Sequence, residues 1–413
     1  MRLSISTRYA VCSLRRHLRR TILAVLGIGL GSAICLFIIA FVRGEGKMML
    51  KAAAESGAGH LRVVPTQWPE IRENELRLAD WEKTRDVMDK AEGVMIVTPH
   101  ARTEGLLAFG TRVAGVEILG VDPNTEQDTN RLVRTIPEGQ YLTAGELGTT
   151  VIGRTLAKRL DVELDDQLMV TVADRDGEMS SAMLRIVGIA ETGSEDLDSI
   201  ICHVNLEDVE RLTGRPGAAD LTALVENPKH LERVIAALSE QLSEDHVVVT
   251  WKEIMPEMAS GVEVDKTWTR LMVGIVMIVV FLGIMSAQLA AVLERRREFA
   301  VLSALGMKSG RLIRIMLAEG VILGLFGSVL GLAFGLPAAY YVATHGIDFS
   351  AMYGTSDLSV SNILFDPVFK GDFGWWLIPL AFELALLATV LSSLYPAWFA
   401  IRTDPAAALR VDN

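Results

Sequence analysis

The most regular feature of the chain is a set of four long apolar stretches among polar segments. Each stretch is long enough to cross a bilayer as a helix, which takes about 20 residues. The first two stretches carry no charge, the third contains Glu319, and the fourth contains Glu383. The pattern predicts four membrane-spanning helices, at residues 21–42, 271–293, 315–343 and 375–401.

The long polar segment, residues 43–270, alternates between the periodicities of strands and helices. Its beginning and end each show the order strand, helix, strand, which predicts one α/β subdomain built from both ends. The part between them, about 103–215, is richer in strand patterns and predicts an inserted β-rich subdomain. Helical patterns at 47–56 and 251–270 predict stalk helices next to the first two spans. The expected fold class is an α-helical membrane protein with four transmembrane helices and a large α/β extracytoplasmic domain.

Charge divides the chain into two kinds of polar segment. Residues 1–20, 294–314 and 402–413 hold 14 Lys and Arg against 4 Asp and Glu. By the positive-inside rule these segments face the cytoplasm, so both termini are expected inside. Residues 43–270 hold 25 basic against 41 acidic residues, a net charge of −16, and residues 344–374 form a short loop on the same outer side. An acidic outer domain gives no reason to expect nucleic-acid binding.

The segment ERRREFAVLSALGM, between the second and third spans, predicts a short amphipathic helix at 294–307. Phe299, Leu302 and Leu305 lie three residues apart and therefore share one face. Gly306 is placed to end this helix. A basic flank that only fixes topology needs the arginines but not an apolar face. The pattern therefore favours a helix at the cytoplasmic surface that docks another protein.

Two further features lie inside the predicted spans. Glu319 is close enough to Arg314 to pair with it or to reach the membrane surface. Glu383 is about 12 Å from the start of its span, at 1.5 Å per residue. A carboxylate there needs a proton or a partner, and a structural hydrogen bond to a neighbouring helix is favoured over a proton relay. Glycines spaced for close helix packing are Gly27 and Gly31 in the first span, and Gly320, Gly324, Gly327, Gly331 and Gly335 in the third.

The sequence contains no recognisable catalytic or metal-binding motif. GEGK at 44–47 is not a phosphate-binding loop, because that motif needs Gly at the position of Phe41 and Ser or Thr at that of Met48. The histidines lack the spacing of a metal site, and scattered carboxylates indicate a solvated surface. We therefore expect no catalytic residue, no metal and no enzyme activity in this chain.

Several of these motifs together resemble those of a known family. EFAVLSALGM, followed by Glu319 at the start of a Gly-rich span, resembles the signature domain of MacB/FtsX-type ABC transporter permeases, and YPAWFAIRTDPAAALR resembles their C-terminal pattern. TPHARTEGLLAFGTRVAGVEILGVDP and IVGIAETGSEDLDSIICHVNLEDVERL are most similar to the lipoprotein-releasing, LolC/LolE-like permeases. The resemblance implies a multi-pass protein of the bacterial inner membrane with its large domain in the periplasm.

The resemblance also implies partners. A cytoplasmic ABC ATPase dimer would bind ATP and Mg²⁺, so this chain needs no cofactor of its own, and a second permease subunit, identical or paralogous, would complete the complex. A lipoprotein substrate and a periplasmic carrier are further partners, besides membrane lipid. The turn at 173–182 is shorter than the hook with which lipoprotein-releasing permeases catch a carrier. The residues implied in coupling to the ATPase are Arg297, Glu298, Phe299, Leu302, Leu305 and Gly306.

The function implied is that of a permease subunit that transmits ATP-driven motion to its periplasmic domain, with lipoprotein release as the favoured outcome. Two alternatives remain open. One is MacB-like efflux of a small molecule or peptide. The other is FtsX-like signalling that activates an extracytoplasmic partner, although that branch has a much smaller external domain.

Overall fold

The computed structural model describes residues 15–16, 18–73, 76–78, 80–304, 307–350, 358–360 and 363–402. The chain forms two compact units: a membrane unit (Met1–Gly46, Glu263–Ile347, Phe369–Asn413) and an external unit (Lys47–Val262, Asp348–Val368).

The α-helices are α1 Leu18–Ala53, α2 Trp68–Ile71, α3 Trp81–Asp89, α4 Pro123–Thr129, α5 Arg154–Leu160, α6 Glu195–Asp198, α7 Leu206–Thr213, α8 Leu231–Ser239, α9 Trp251–Ile254, α10 Pro256–Glu294, α11 Arg296–Ala304, α12 Ser309–His345 and α13 Leu377–Arg402. The strands are β1 Leu61–Pro65, β2 Val94–Phe109, β3 Arg112–Val121, β4 Glu138–Gly139, β5 Thr149–Gly153, β6 Gln167–Ala173, β7 Met179–Ala190, β8 Cys202–Asn205, β9 Asp220–Val225, β10 His246–Thr250, β11 Ile347–Asp348, β12 Leu358–Val360, β13 Ile363–Phe365 and β14 Val368–Phe369.

Four helices in the described part of the chain are long and apolar enough to span a membrane, which confirms that part of the predicted fold. They are α1, α10, α12 and α13, with mean hydropathies of 2.7, 2.5, 2.1 and 2.0 over their most apolar windows. α1 and α10 have 36 and 39 residues, so both are longer than the spans predicted for them. Ile28, Ile284, Leu323 and Ala385, one residue from each helix, pack together in the interior of the membrane unit.

The glycines of α12 lie on two faces that contact different helices. A Cβ atom at Gly320 or Gly324 would overlap side chains of α13, and one at Gly327 or Gly331 would overlap α1. Gly335 also faces α1, and Gly31 faces Val280 of α10. These positions let helix backbones approach closely, as their four-residue spacing predicts.

Gly27 differs from the other predicted packing glycines. A Cβ atom there would meet no described atom within 4 Å, so Gly27 makes no close helix contact within the described chain. A spacing of four residues places Gly27 and Gly31 on one side of α1. It does not determine whether a neighbouring helix reaches both of them.

The external unit is built on one continuous ten-stranded sheet, in the order β10-β1-β9-β2-β3-β8-β5-β7-β4, with β6 paired to β2 and β7. This single sheet is not a clear match for the predicted layout, an α/β subdomain with an inserted β-rich subdomain. β2 is 16 residues long and runs through the predicted boundary near residue 103. Its first part pairs with β9 and its later part pairs with β6, while β3 runs beside it from His100 to Phe109.

Two hydrophobic cores nevertheless correspond to the ends and the middle of the external segment. One includes Leu61, Val97 and Leu221, and the other includes Ile118, Leu168 and Leu184. The composition of each part thus indicated where apolar residues cluster. The sheet is continuous across both cores because the long strand β2 contributes residues to each of them.

The hairpin of β6 and β7 ends in a compact turn. The last pair in the register is Ala173 with Met179, and the amide of Asp174 donates to the carbonyl of Glu178 over 2.9 Å. Five residues, 174–178, therefore join the strands.

Candidate functional site

Helix α11 lies between α10 and α12, within the segment for which a docking helix was predicted. It is shorter than the predicted 294–307, because Glu294 is the last residue of α10. Phe299 is 5 % exposed and packs in a cluster formed by Val292 of α10, Leu312 and Met316 of α12, and Ala397 and Ala400 of α13. The aromatic side chain of Phe299 thus anchors α11 on the ends of three apolar helices.

Beside Phe299, the structure places a group of charged side chains around Arg295. Nη1 of Arg295 donates to Oε1 of Glu319 over 3.0 Å, and its Nε donates to Oε2 of Glu298 over 3.3 Å. Its guanidinium carbon is 4.9 Å from the centre of the Phe299 ring, within cation–π range. We call Arg295, Glu298, Phe299 and Glu319 the Arg295 node.

The burial of the node is uneven. Arg295 and Glu319 are 6 % and 8 % exposed, so their ion pair is largely removed from solvent. A buried pair is costly to break from one side only, because the remaining charge has no counter-ion. Glu298 is exposed, and Arg16 reaches its carboxylate over 3.3 Å. The node therefore connects a buried contact on α12 to the surface of α11.

The outer face of α11 is largely charged. Arg296, Arg297, Glu298 and Val301 are exposed in the described chain. This face combines charge with one apolar side chain, and such a mixture suits a polar protein groove. Of the remaining predicted coupling residues, Leu302 lies in α11 but its side chain is not described, and Leu305 and Gly306 lie outside the described residues.

The two intramembrane carboxylates differ in their surroundings. Glu319 is buried and pairs with Arg295, whereas Arg314, the partner considered from sequence, is exposed. Glu383 is exposed on the outside of the described helices, and the hydrogen bond predicted for it to a neighbouring helix is not seen. Distance along a span gives the depth of a residue but not the side of the helix on which it lies.

Sequence reasoning missed two residues of this region. Arg295 was interpreted as one of three arginines that fix topology, although it lies four residues before Phe299 and so shares its helical face. Gln288 of α10 is 8 % exposed, and its amide has no hydrogen-bond partner among the described residues. Both line a small cavity of about 20 Å³, together with Glu319. That is room for about one water molecule. A polar residue in an otherwise apolar stretch was the available signal for Gln288.

A second buried polar group lies in the external unit, and we call it the Asp220 cluster: Arg62, His100, Arg102, Glu126 and Asp220. The strand register creates it, because His100 lies opposite Asp220 in the pairing of β2 with β9. Asp220 contacts Nδ1 of His100 at 3.3 Å, Nε of Arg62 at 3.5 Å and Nη1 of Arg102. Nε2 of His100 is 2.9 Å from Oε2 of Glu126.

The charges of this cluster support one another. Burial alone would raise the pKa of Asp220, but Arg102 and Arg62 hold that pKa far below its ordinary value. Burial alone would lower the pKa of His100, but the charge of Glu126 and the hydrogen bonds from Asp220 and Glu126 raise it above its ordinary value. Within the described residues, no group of three or more His, Cys, Asp or Glu side chains could hold a metal ion. The contacts of the Asp220 cluster join β1, β2, β9 and α4, and the attraction of its opposite charges stabilises the sheet from within.

Comparisons with known proteins identify the two parts of the chain. The family described as MacB-like periplasmic core domain matches residues 21–241, and FtsX-like permease C-terminal matches residues 270–405. The lipoprotein-releasing system transmembrane protein LolC of Neisseria meningitidis is 23% identical, over 95% of this chain and 94% of the relative. The macrolide export ATP-binding/permease protein MacB of Hyphomonas neptunium is 24% identical, over 98% of this chain and 60% of the relative.

A solved structure covers part of the same region. The periplasmic region of MacB from Actinobacillus actinomycetemcomitans is 14% identical and covers 54% of this chain and 97% of its own, with a TM-score of 0.37. The MacB-like core-domain match alone spans more than half of this chain. Together with the four apolar helices, the two family matches indicate a membrane protein with an extracytoplasmic domain. The chain belongs to the MacB/FtsX/LolC type of ABC transporter permease.

Proposed function

We propose that this chain is a transmembrane subunit of an ABC transporter that releases lipoproteins from the outer face of the inner membrane. The observation that carries the proposal is the similarity to LolC along nearly the whole of both chains. Relatives named LolC from Xylella fastidiosa and Haemophilus influenzae are also similar over at least 94% of this chain. ATP hydrolysis would come from a separate ATPase subunit.

In the orientation we propose, α11 and both termini face the cytoplasm. The supporting observation is the distribution of Lys and Arg, which concentrates in the three segments on that side. α11 would dock on the ATPase through Arg297 and Glu298. Its buried contacts, Phe299 and the Arg295–Glu319 pair, would pass a movement of the ATPase to the spans.

We propose that α1 and α10 act as the stalks that carry this movement outward. α1 continues unbroken from its apolar part to Ala53, and α10 is unbroken from Pro256 to Glu294. A continuous helix resists bending because its backbone hydrogen bonds run along the axis. The proposed mechanism is therefore mechanical transmission, with no substrate channel required through this subunit.

The complex would contain a second permease subunit, identical or paralogous. If that partner is a paralogue, we propose that a periplasmic carrier docks on it rather than on this chain. The reason is the compact turn at 174–178, which joins β6 to β7 without a long protrusion.

A second candidate function, export of a small molecule or peptide, has one specific observation in its favour. The match to the MacB-like core domain covers residues 21–241, and a macrolide exporter is similar over 98% of this chain. The two functions differ in which molecule leaves the membrane, not in the proposed coupling to an ATPase.

Depletion of this chain in its native bacterium, followed by membrane fractionation, separates these functions. For lipoprotein release we expect outer-membrane lipoproteins to accumulate in the inner membrane, and re-expression of the wild-type chain to restore sorting. Unchanged sorting, with new sensitivity to a macrolide or peptide, would favour export. Unchanged sorting and unchanged sensitivity would reject both functions.

A further inference from the structure

We propose that Arg295 is the positioning residue that fixes α11 against α12. The inference rests on the proposed function, in that α11 is taken as the ATPase-docking helix. Arg295 follows α10 directly, pairs with Glu319 on α12, and holds Glu298 on α11. Its charged contacts therefore tie the ends of three helices together, next to the apolar packing of Phe299.

Three contacts restrain Arg295 at once. One edge of the guanidinium donates to Glu319 over 3.0 Å, another donates to Glu298 over 3.3 Å, and the plane lies near the Phe299 ring. A planar fork can bind two carboxylates and an aromatic ring together, whereas the single ammonium of a lysine cannot. The geometry thus uses properties that only arginine has among the natural side chains.

Neighbouring arginines do not share this arrangement. Arg296 and Arg297 are exposed, although they have the same charge and adjoin Arg295 in the sequence. Arg295 is 6 % exposed. The chain therefore offers a matched control, in which the same kind of side chain is altered one residue away.

The position of Glu298 shows how the node reaches the outer face of α11. The carboxylate is bound by Arg295 from inside and by Arg16 from the solvent side. If Arg295 were lost, Glu298 would keep only an exposed ion pair, which contributes little. The outer face of α11 would then no longer be held at a fixed angle to α12.

Hydrogen–deuterium exchange on the full chain in lipid nanodiscs tests this directly. We expect amides of residues 296–304 to exchange at least about tenfold faster in Arg295→Lys and Arg295→Met than in the wild type. Arg296→Met should leave that exchange unchanged, and peptides of the external unit should be unchanged in every variant. Unchanged exchange of 296–304 in both Arg295 variants would overturn the proposal.

The double variant Arg295→Met/Glu319→Met tests whether Arg295 fixes the position of α11 or only stabilises the fold. Replacing both partners of a buried pair by apolar side chains is often tolerated. We expect the melting temperature of the double variant to return towards that of the wild type while exchange of 296–304 stays fast. If exchange returned to the wild-type rate as well, Arg295 would have a structural role only.

A second measurement distinguishes failure of this inference from failure of the proposed function. The chain is co-expressed with each ABC ATPase of the same genome, and ATP hydrolysis is measured per ATPase bound. We expect Arg295→Lys to retain a bound ATPase but to lose at least about tenfold of the permease-stimulated rate. A wild-type rate in Arg295→Lys would overturn the positioning role. If the wild-type chain binds no ATPase, the proposed function fails, and the exchange experiment still decides what Arg295 does to α11.

Discussion

Two regions of this protein bury charged side chains, and they do so differently. In the external unit, Asp220 is 3 % exposed and is contacted by His100, Arg62 and Arg102, all on paired strands of one sheet. In the membrane unit, the Arg295 node begins at a buried pair and ends at Glu298, whose side chain is 43 % exposed. The Asp220 cluster reaches the surface at Arg102, whose side chain is 18 % exposed and pairs with the exposed Glu117, but its arginines, His100 and Asp220 lie on paired strands. The Arg295 node instead joins three separate helices.

The largest effect on stability is expected at the Asp220 cluster. Asp220→Asn removes the negative charge that Arg62 and Arg102 share, which leaves Arg62 as a buried cation and Arg102 with its contact to Glu117. Breaking a buried pair from one side costs about 3–5 kcal/mol. We expect the external unit of this variant to unfold at a much lower urea concentration than that of the wild type. Tryptophan fluorescence measures the unfolding. Asp245→Asn is the matched control, since Asp245 is exposed, and it should unfold as the wild type does.

If Asp220→Asn left the stability unchanged, the comparison itself would fail. The Asp220 cluster would then stabilise the sheet no more than an exposed ion pair does. Arg102→Met, combined with Asp220→Asn, refines the result, because it removes a second positive charge beside the buried Arg62. The double variant should regain part of the lost stability.

Reversing the charge of Glu298, the exposed end of the Arg295 node, should change coupling to the ATPase but not the folding of the chain. Glu298→Lys places a third cation between Arg295 and Arg16, on an exposed face of α11. We expect at least about a tenfold loss of permease-stimulated ATP hydrolysis, or of co-purification with the ATPase. Melting of the external unit should match the wild type.

Lys308→Ala serves as the control for that variant, since Lys308 is exposed and precedes α12 rather than lying in α11. Coupling that survives Glu298→Lys would show that α11 does not dock through this residue. Glu298, the exposed end of the Arg295 node, would then have no role in the proposed complex.

The two regions also differ in their expected dependence on pH. The pKa of His100 is raised above its ordinary value of 6.5 in the folded chain, since Glu126 and Asp220 outweigh the effect of burial. Its stabilising contribution is therefore complete below pH 6.5 and is lost as the pH rises through the raised value.

A comparison of wild type with His100→Gln measures this contribution. The stability advantage of the wild-type external unit should shrink as the pH is raised from about 6 to about 9. Asp220 and Glu126 keep their charge over that range because both pKa values are lowered. A constant difference between the two proteins would show that His100 is not charged in the cluster.

The sequence predicted what depends on composition and local spacing. Long apolar stretches with at most one charge each reveal the four spans. The apolar face through Phe299, Leu302 and Leu305 stays a prediction, because the Leu302 side chain and Leu305 lie outside the described residues. The partners of the buried charges were not predictable in this way. His100 and Asp220 are 120 residues apart, and Arg295 and Glu319 are 24 apart. Only the pairing of β2 with β9, and the return of α12 beside α10, brings them together.

The smallest effect is expected for Arg16→Ala. Arg16 is 75 % exposed and its pair with Glu298 is 3.3 Å long, so solvent screens most of the attraction. Exposed pairs contribute about 0–1 kcal/mol, and we expect no measurable change in melting temperature or in exchange of residues 296–304. If Arg16→Ala instead accelerated that exchange as much as Arg295→Met does, the residues before α1 would also hold α11 in place. The surface end of the node would then be as fixed as the Asp220 cluster, and the contrast between a network held by strand pairing and one that joins separate helices would no longer explain their different roles.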